Sequence, residues 1–315
     1  MKKGRLEISV VHHPFTGTTP PPQTKNVRKS LLAFESQEDD GILLHAAWRA
    51  AGITPQEPHK QPPDPTGLER LIAGMRVSKP DVRRFRASAP FTGRYEITPT
   101  DPWDGRTLPS VTLNLPGNIA VPLPSVARLD LLQSLRRIKG QVATAMPFLA
   151  EIAAQAEHPG VFFALALGMT TKTHMYTLDL MDAVNDIVAG PVHSIKAQLQ
   201  LPRPSQFRTD LGSDAADPWI PDPWHTSYPS GHAAGAYALA AVLTELTGAS
   251  SLRDDVARRI AKNREKAGVH SERDTSAGEQ LGTALGQWMV AAAALRTPPY
   301  DVWAALFVLA ANEWE

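Results

Sequence analysis

The chain has 315 residues, and its 32 lysine and arginine side chains balance 32 acidic ones, so the formal net charge at pH 7 is zero. No overall field therefore recruits nucleic acid or an anionic membrane surface, and any anion site must be a local concentration of basic groups. The absence of cysteine excludes disulfides, thiolate metal sites and cysteine nucleophiles.

Apolar runs in the sequence are short. The longest candidate, Ala233–Leu243, falls below the roughly 18 residues of a membrane helix. The segment Leu6–Val11 contains an acidic residue and is too short for the core of a signal peptide. We therefore expect a soluble, cytoplasmic protein that acts on a small molecule, and we expect a homodimer only because paired assembly is common.

Residues 1–124 contain 17 of the 28 prolines, which interrupt any long element. Short elements are predicted here: a strand at Leu6–Val11, helices at Lys29–Ala51 and Thr66–Val77, and a strand from the alternation of apolar residues over 111–115. We predict a proline-rich, mostly irregular extension that packs on a helical core. A partly ordered surface extension is the alternative.

Residues 125–315 show a different, helical pattern, and we predict an all-α catalytic core. Ser125 is the expected N-cap of the first helix, and Ser251 with Asp254 resembles a capping box later in the chain. Apolar spacing predicts helices after Ser125 and over 141–156, 161–173, 176–188, 193–201, 233–246, 252–266, 274–295 and 300–311.

The first of three polar clusters combines Lys196 with Arg203, which lie on either side of a predicted helix end with six residues between them. An arginine offers a planar fork to oxyanion oxygens, and a lysine offers a point charge. Both side chains could reach one pocket, although a solvated basic helix end would give the same pattern.

The second cluster is Ser230-Gly231-His232, at the start of a predicted helix. Backbone N–H groups and the positive end of the helix dipole meet there, an arrangement that suits an oxyanion. An ordinary turn is the alternative, because proline, serine and glycine are the usual turn residues.

The third cluster is Arg264, His270 and Asp274. The i,i+4 spacing of the last two residues places the carboxylate on the histidine's side of a helix, where it can orient the ring. A surface pair is the alternative.

Taken together and in this order, the three clusters resemble the signature shared by type 2 phosphatidic acid phosphatases, bacterial class A acid phosphatases and vanadium-dependent haloperoxidases. The resemblance covers residues 196–274, and it implies a helical bundle of the acid phosphatase/vanadium haloperoxidase type. The chain departs from the pattern at Asn263, where the family often has a serine.

The resemblance implies a role for each residue. Lys196, Arg203 and Arg264 would bind the equatorial oxygens of phosphate or vanadate, with added hydrogen bonds from Ser230 and Gly231. In the same scheme His270 is the axial group (the vanadium ligand or the phosphorylated nucleophile), Asp274 orients it, and His232 is the general acid–base.

Two enzyme classes share these residues. The absence of a membrane span and a signal peptide favours the soluble bacterial haloperoxidase-like branch, which uses vanadate and hydrogen peroxide to oxidise halide and halogenate an organic acceptor. The alternative is a metal-independent acid phosphatase that acts on phosphomonoesters through a phosphohistidine. A non-catalytic anion-binding protein is a third hypothesis.

Two further histidines are predicted to line a halide or substrate pocket. His225 lies seven residues before His232, at a position where a histidine is associated with bromide-type enzymes, so bromide is favoured over chloride. His193 lies one helical turn before Lys196, where haloperoxidases often have tryptophan or arginine, and this departure weighs against halide oxidation. Ordinary loop or helix-surface positions are the alternative for both residues.

Overall fold

The computed structural model describes residues 26–36, 39–52, 87–99, 107–108, 110–123 and 126–315. The predicted strand at Leu6–Val11, the predicted helix at Thr66–Val77 and the predicted N-cap Ser125 lie outside these ranges. The boundary between an N-terminal extension and a catalytic core near residue 124 stays a prediction.

The described N-terminal residues form two helices and a small antiparallel sheet. The predicted helix over Lys29–Ala51 is divided into α1 (Val27–Ser36) and α2 (Asp39–Ala51). Strands β1 (Glu96–Pro99), β3 (Val111–Leu115) and β4 (Ile119–Leu123) pair in the order β1-β3-β4, while β2 (Thr107–Leu108) pairs with β5 (Val126–Ala127). Strand β3 buries alternate residues, which confirms the predicted strand.

The regular elements in the rest of the described chain are helices, which confirms the prediction of a mostly helical fold. Its helices are α3 (Arg128–Ala143), α4 (Leu149–Glu157), α5 (Pro159–Ala166), α6 (Met175–Leu199), the single turn α7 (Arg208–Leu211), α8 (Gly231–Thr247), α9 (Arg258–Lys266), α10 (Glu272–Ala293) and α11 (Asp301–Ala311).

Helices α8 and α10 form the tightest pair in the core. Along α10, three glycines at four-residue intervals face α8, and a Cβ atom at Gly282 would lie 2.1 Å from the backbone oxygen of Ala234. Only a glycine lets the two backbones come this close. The close approach places the first turns of α8 and α10 side by side, and these turns carry the second cluster and Asp274.

Helix α6 corrects the prediction of two helices separated at Gly190-Pro191. It runs without a break through Pro191, which is buried inside the helix. A proline inside a helix costs about 3 kcal/mol because it removes a backbone hydrogen bond. Burial of a long apolar face, which includes Val184, Ile187 and Ile195, offsets that loss.

Other element boundaries also differ from the predictions. Residues 126–127 pair as a strand, so α3 begins at Arg128, and α5 ends at Ala166 rather than near residue 173. The predicted capping box at Ser251 is wrong: Leu252 is the N-cap of the π-helical turn Arg253–Ala257, which has no side-chain cap hydrogen bond. Within the described ranges, no helix combines the length and apolar character that crossing a membrane requires.

Candidate oxyanion-binding site

Lys196 lies in the last turn of α6 and is buried, with 3% of its surface exposed. Its Nζ atom donates to the backbone oxygens of Thr226 and Ser227, each at 2.7 Å. Burial holds the pKa of Lys196 well below its usual value, and the charge of Arg203 lowers it further. An ammonium has three N–H donors, so these two hydrogen bonds leave one for a ligand.

Arg203 follows α6 and is equally buried. Its Nη1 atom donates to the backbone oxygen of Val269 at 2.7 Å and lies 3.1 Å from Nε2 of His270. Its Nη2 atom lies 2.9 Å from Nδ1 of His225. Burial lowers the pKa of Arg203 to about 10, and the Asp274 carboxylate acts against that shift. The guanidinium thus joins the first cluster to the third and to His225.

Ser230 is the N-cap of α8, where its Oγ accepts from the N–H of Ala233 at 3.4 Å. Its own N–H donates to the backbone oxygen of Asp274 at 2.9 Å. Gly231 and His232 occupy the first turn of the helix, whose N–H groups lack partners within the helix and carry the positive end of the dipole. The second cluster therefore has the geometry expected of an anion-binding helix start.

His232 donates from Nε2 to the backbone oxygen of Ala156 at 3.3 Å, since a carbonyl can only accept. The lone pair is therefore on Nδ1. Burial lowers the pKa of His232 to about 3, and the charge of Arg264 contributes to the shift. His232 is neutral at physiological pH, and the nearby Arg264 charge resists its protonation.

Arg264 is the least satisfied basic residue of the site. It lies at the end of α9 with 1% of its surface exposed, and its Nη2 atom donates to the backbone oxygen of Ile152 at 2.7 Å. Its Nε and Nη1 atoms are buried and have no hydrogen-bond partner. Burial lowers the pKa of Arg264 to about 10. Buried donors without partners are rare, and here they belong to a charged group.

Asn263 does not substitute for a ligand-binding serine in this structure. Its Nδ2 atom donates to Glu151 at 2.8 Å and to Gln155 at 2.9 Å. Glu151 also accepts two hydrogen bonds from Arg259, at 2.6 and 2.8 Å. The side-chain amide donor of Asn263 is therefore engaged in the packing between α4 and α9.

His270 and Asp274 are held together by the start of α10. Ser271 is the N-cap, and it forms a capping box with Asp274: the Ser271 N–H donates to the carboxylate at 2.7 Å, and Ser271 Oγ accepts from the Asp274 N–H. The same carboxylate oxygen lies 3.5 Å from Nδ1 of His270 and accepts from Ser227 Oγ at 2.7 Å. Burial raises the pKa of Asp274, but the hydrogen bonds from His270, Ser271 and Ser227 outweigh it, so the net shift is downward.

The site carries more positive than negative charge. Lys196, Arg203 and Arg264 are buried, and within the described ranges none of them lies within ion-pair distance of a carboxylate. Asp274 is the acid whose charge acts on both Lys196 and Arg203. Buried charges are normally paired, so this excess of cations indicates a site for an anion.

A cavity of about 140 Å³ adjoins the cations, and it is lined by Lys196, Gly231, His232, His193 and His225 among others. Arg203, Arg264 and His270 are not among its lining residues. The structure therefore brings the predicted site residues to one region, with part of the set on the cavity and part packed behind it.

The two predicted pocket histidines lie near the cavity mouth. The rings of His193 and His225 are 5.4 Å apart, and Trp224 stacks on His193 at 6.0 Å. Burial lowers the pKa of both histidines, that of His225 to about 3. Trp224 and Ser227 were missed in the sequence because single aromatic and hydroxyl residues in a proline-rich loop carry no spacing signal.

No model of a known protein family matches the chain. No curated protein matches it in sequence. A search of solved structures finds a similarity to the crystal structure of a bacterial vanadium-dependent iodoperoxidase, with a TM-score of 0.42 and 16% identity over 53% of this chain and 49% of that chain. The chain thus spans about half the length of that protein, and the chemistry of the site has to be argued from its own residues.

Proposed function

We propose that the three clusters bind a tetrahedral oxyanion and that the chain is an oxidoreductase of the vanadate-dependent haloperoxidase type. The observation that carries the anion site is Arg264, a buried guanidinium with Nε and Nη1 unpartnered. Phosphate and vanadate present several acceptor oxygens, so either ion would satisfy these donors together with the remaining donor of Lys196.

The residues present fit vanadate. Within the described part of the chain no group of three or more histidine, aspartate or glutamate side chains could hold a bare metal ion. Vanadate does not need such a group, because cations and N–H donors would hold its oxygens and the Nε2 lone pair of His270 would be the ligand for vanadium. Bound vanadate would supply activation of hydrogen peroxide for the oxidation of a halide, with bromide favoured by His225.

The protein's own groups would hold charge and move protons around that ion. Asp274 fixes the His270 tautomer, and Arg203 and Arg264 neutralise negative charge on the oxygens. Burial is the main cause of the low pKa of His232, and the charge of Arg264 adds to it. An anion beside Arg264 would offset that second contribution, so His232 would accept a proton more readily when the site is filled.

A soluble phosphatase is the second candidate, and the state of His270 favours it. Burial holds the pKa of His270 well below its usual value, which leaves Nε2 unprotonated at neutral pH. That nitrogen could attack the phosphorus of a phosphomonoester while the ester P–O bond breaks and a protonated His232 gives its proton to the leaving oxygen. Water would then cleave the phosphohistidine.

Two assays on one purified sample separate the candidates. One measures p-nitrophenyl phosphate hydrolysis without vanadate, and the other measures bromination of a phenol-type dye with vanadate, peroxide and bromide. Vanadate-dependent bromination is expected, and strong phosphatase turnover without it would overturn the leading proposal. If neither reaction occurs while phosphate still binds, the chain is a non-catalytic anion-binding protein.

A further inference from the structure

The cavity beside Lys196 is built by regular helix faces. Helix α6 supplies residues at helical spacing from Asn185 to Lys196, and α8 supplies Gly231, Gly235 and Leu239, each four residues from the last. Residues 158–161 and 163, at α5, form a third wall. Two of the α8 positions lack a side chain, so the glycines themselves create much of the space.

Helix α1 closes the cavity with Val27 and Ser30. Its first N–H, that of Val27, donates to the buried carboxylate of Asp182 on α6 at 2.8 Å. Gly160 on α5 lies so close that a Cβ atom there would be 2.5 Å from Val27. The N-terminal helix is therefore a fixed wall of the cavity.

The size of the cavity matches one ring. Its volume of about 140 Å³ is close to that of an engineered apolar cavity of about 150 Å³ that stays dry and binds benzene. Apolar side chains form its body: Val161, Phe163, Val188, Val192 and Leu239. Such a lining favours an apolar, planar occupant over a hydrated ion.

The polar groups that line the cavity are separated from one another along its length. Lys196 and His232 lie beside the anion site, whereas Asn185 is eleven residues before Lys196 on α6, about 16 Å along the helix axis. Burial lowers the pKa of His232 to about 3 and holds that of His193 below its usual value, so burial disfavours a positive charge on either ring. Among the described residues that line this cavity, Lys196 is the one lysine, arginine or carboxylate side chain.

We infer that this cavity binds a neutral organic molecule with a single aromatic ring, which lies between α6 and α8 with one edge toward Lys196 and His232. If the proposed function holds, this molecule is the organic acceptor of the oxidised halide. Ring binding itself depends only on the cavity and can be tested without vanadate, peroxide or halide.

The test is calorimetric titration of the full-length protein with phenol and with indole. Gly235→Leu would fill the cavity from α8. A Cβ atom at Gly235 meets only Asn185 Oδ1, at an ordinary 3.5 Å, so the backbone need not move. Ala291→Leu adds the same side chain at an exposed position of α10 and is the matched control. We expect saturable binding to the wild type and the control, and at least a tenfold loss in Gly235→Leu.

Absence of saturable binding to the wild type, or unchanged binding in a folded Gly235→Leu protein, would overturn the inference. If Gly235→Leu does not fold, Val188→Phe fills the same cavity from α6 and must give the same loss. Loss of halogenation with ring binding intact would overturn only the proposed function, so the two failures can be told apart.

Discussion

Arg203 Nη1 lies 3.1 Å from Nε2 of His270. The same Nη1 atom lies 3.5 Å from Nδ1, so the Asp274 carboxylate decides where the proton is. A carboxylate can only accept, and it lies 3.5 Å from Nδ1, so the proton is on Nδ1 and the lone pair is on Nε2. The Asp274 carboxylate therefore fixes the tautomer of a buried histidine. The Arg203–His270 contact means that an anion bound to Arg203 meets the basic nitrogen of His270 directly.

Replacement of His270 should abolish turnover. In His270→Ala, neither bromination nor phosphomonoester hydrolysis should exceed background, because both reactions need the Nε2 lone pair at the anion. The variant should be assayed for both activities beside His45→Ala, which removes a half-buried imidazole of α2 that hydrogen-bonds to the backbone oxygen of Phe34 on α1. If His270→Ala retained either activity, the assignment of the site would be wrong.

Replacement of Arg264 should stabilise the protein while weakening anion binding. Arg264→Met removes a buried charge with two unpartnered donors, so the free energy of unfolding without anion should rise by about 1–3 kcal/mol. The increase in Tm that phosphate or vanadate gives the wild type should disappear. Thermal unfolding with and without about 10 mM phosphate, a saturating concentration for a site of moderate affinity, measures both effects.

Arg259→Met is the matched control for that experiment. It lies on the same helix, but its guanidinium is paired with buried Glu151. Its loss should lower the free energy of unfolding by about 2–3 kcal/mol, because it removes charged hydrogen bonds and leaves the carboxylate undercompensated. The phosphate-induced rise in Tm should persist. If the two variants change the free energy of unfolding in the same direction, the special status of Arg264 is refuted.

Acid should destabilise the protein below about pH 6.5 through buried neutral histidines. The pKa values of His225 and His232 are lowered to about 3, and that of His270 is lowered strongly. As pH falls from 6.5, the unfolded chain takes up protons that the folded chain does not, so stability falls by about 1.4 kcal/mol per pH unit for each such histidine. Glu313, whose pKa burial raises to about 7, acts with the opposite sign in this range.

Urea unfolding between pH 7 and pH 5 measures this slope. His232→Gln should reduce it by the contribution of one proton, and saturating phosphate should reduce it in the wild type because a bound anion raises the pKa of His232. If neither the substitution nor phosphate changes the slope, protonation of His232 is not linked to folding or to anion binding.

Asp274→Asn should affect both stability and chemistry. The carboxylate accepts from Ser227, Ser271 and His270, so its loss should lower the free energy of unfolding by about 2–3 kcal/mol and lower kcat through disorder of the His270 ring. Ser271→Ala removes only the hydroxyl half of the capping box, which should lower stability by about 1 kcal/mol and leave kcat largely intact. An equal loss of kcat in both variants would reduce the role of Asp274 to capping.

The helical core and the polar clusters could be predicted from the sequence because each depends on local information. Apolar spacing identifies the helices, and the short intervals from Lys196 to Arg203 and from Arg264 to Asp274 fix which side chains share an element. The continuity of α6 through Pro191 could not be predicted. It depends on tertiary burial that outweighs a local helix breaker.

The cavity and the unpaired donors of Arg264 could not be predicted, since they depend on how distant elements pack. The sequence around Gly235 does not show that this residue lines a cavity opposite Asn185. It also does not show that α1 closes that cavity. The role of Ser227 depends similarly on a contact with Asp274, 47 residues away.

Gly235 of α8 and Gly282 of α10 differ in whether the structure has room for a side chain at that position. Gly282 has no room for any side chain, so that position is closed to variation. Gly235 lines the cavity, so a methyl or larger group there would reduce the cavity volume without altering a charge at the anion site. Under the proposed function, the choice of organic acceptor and the reaction at the anion site therefore depend on different residues.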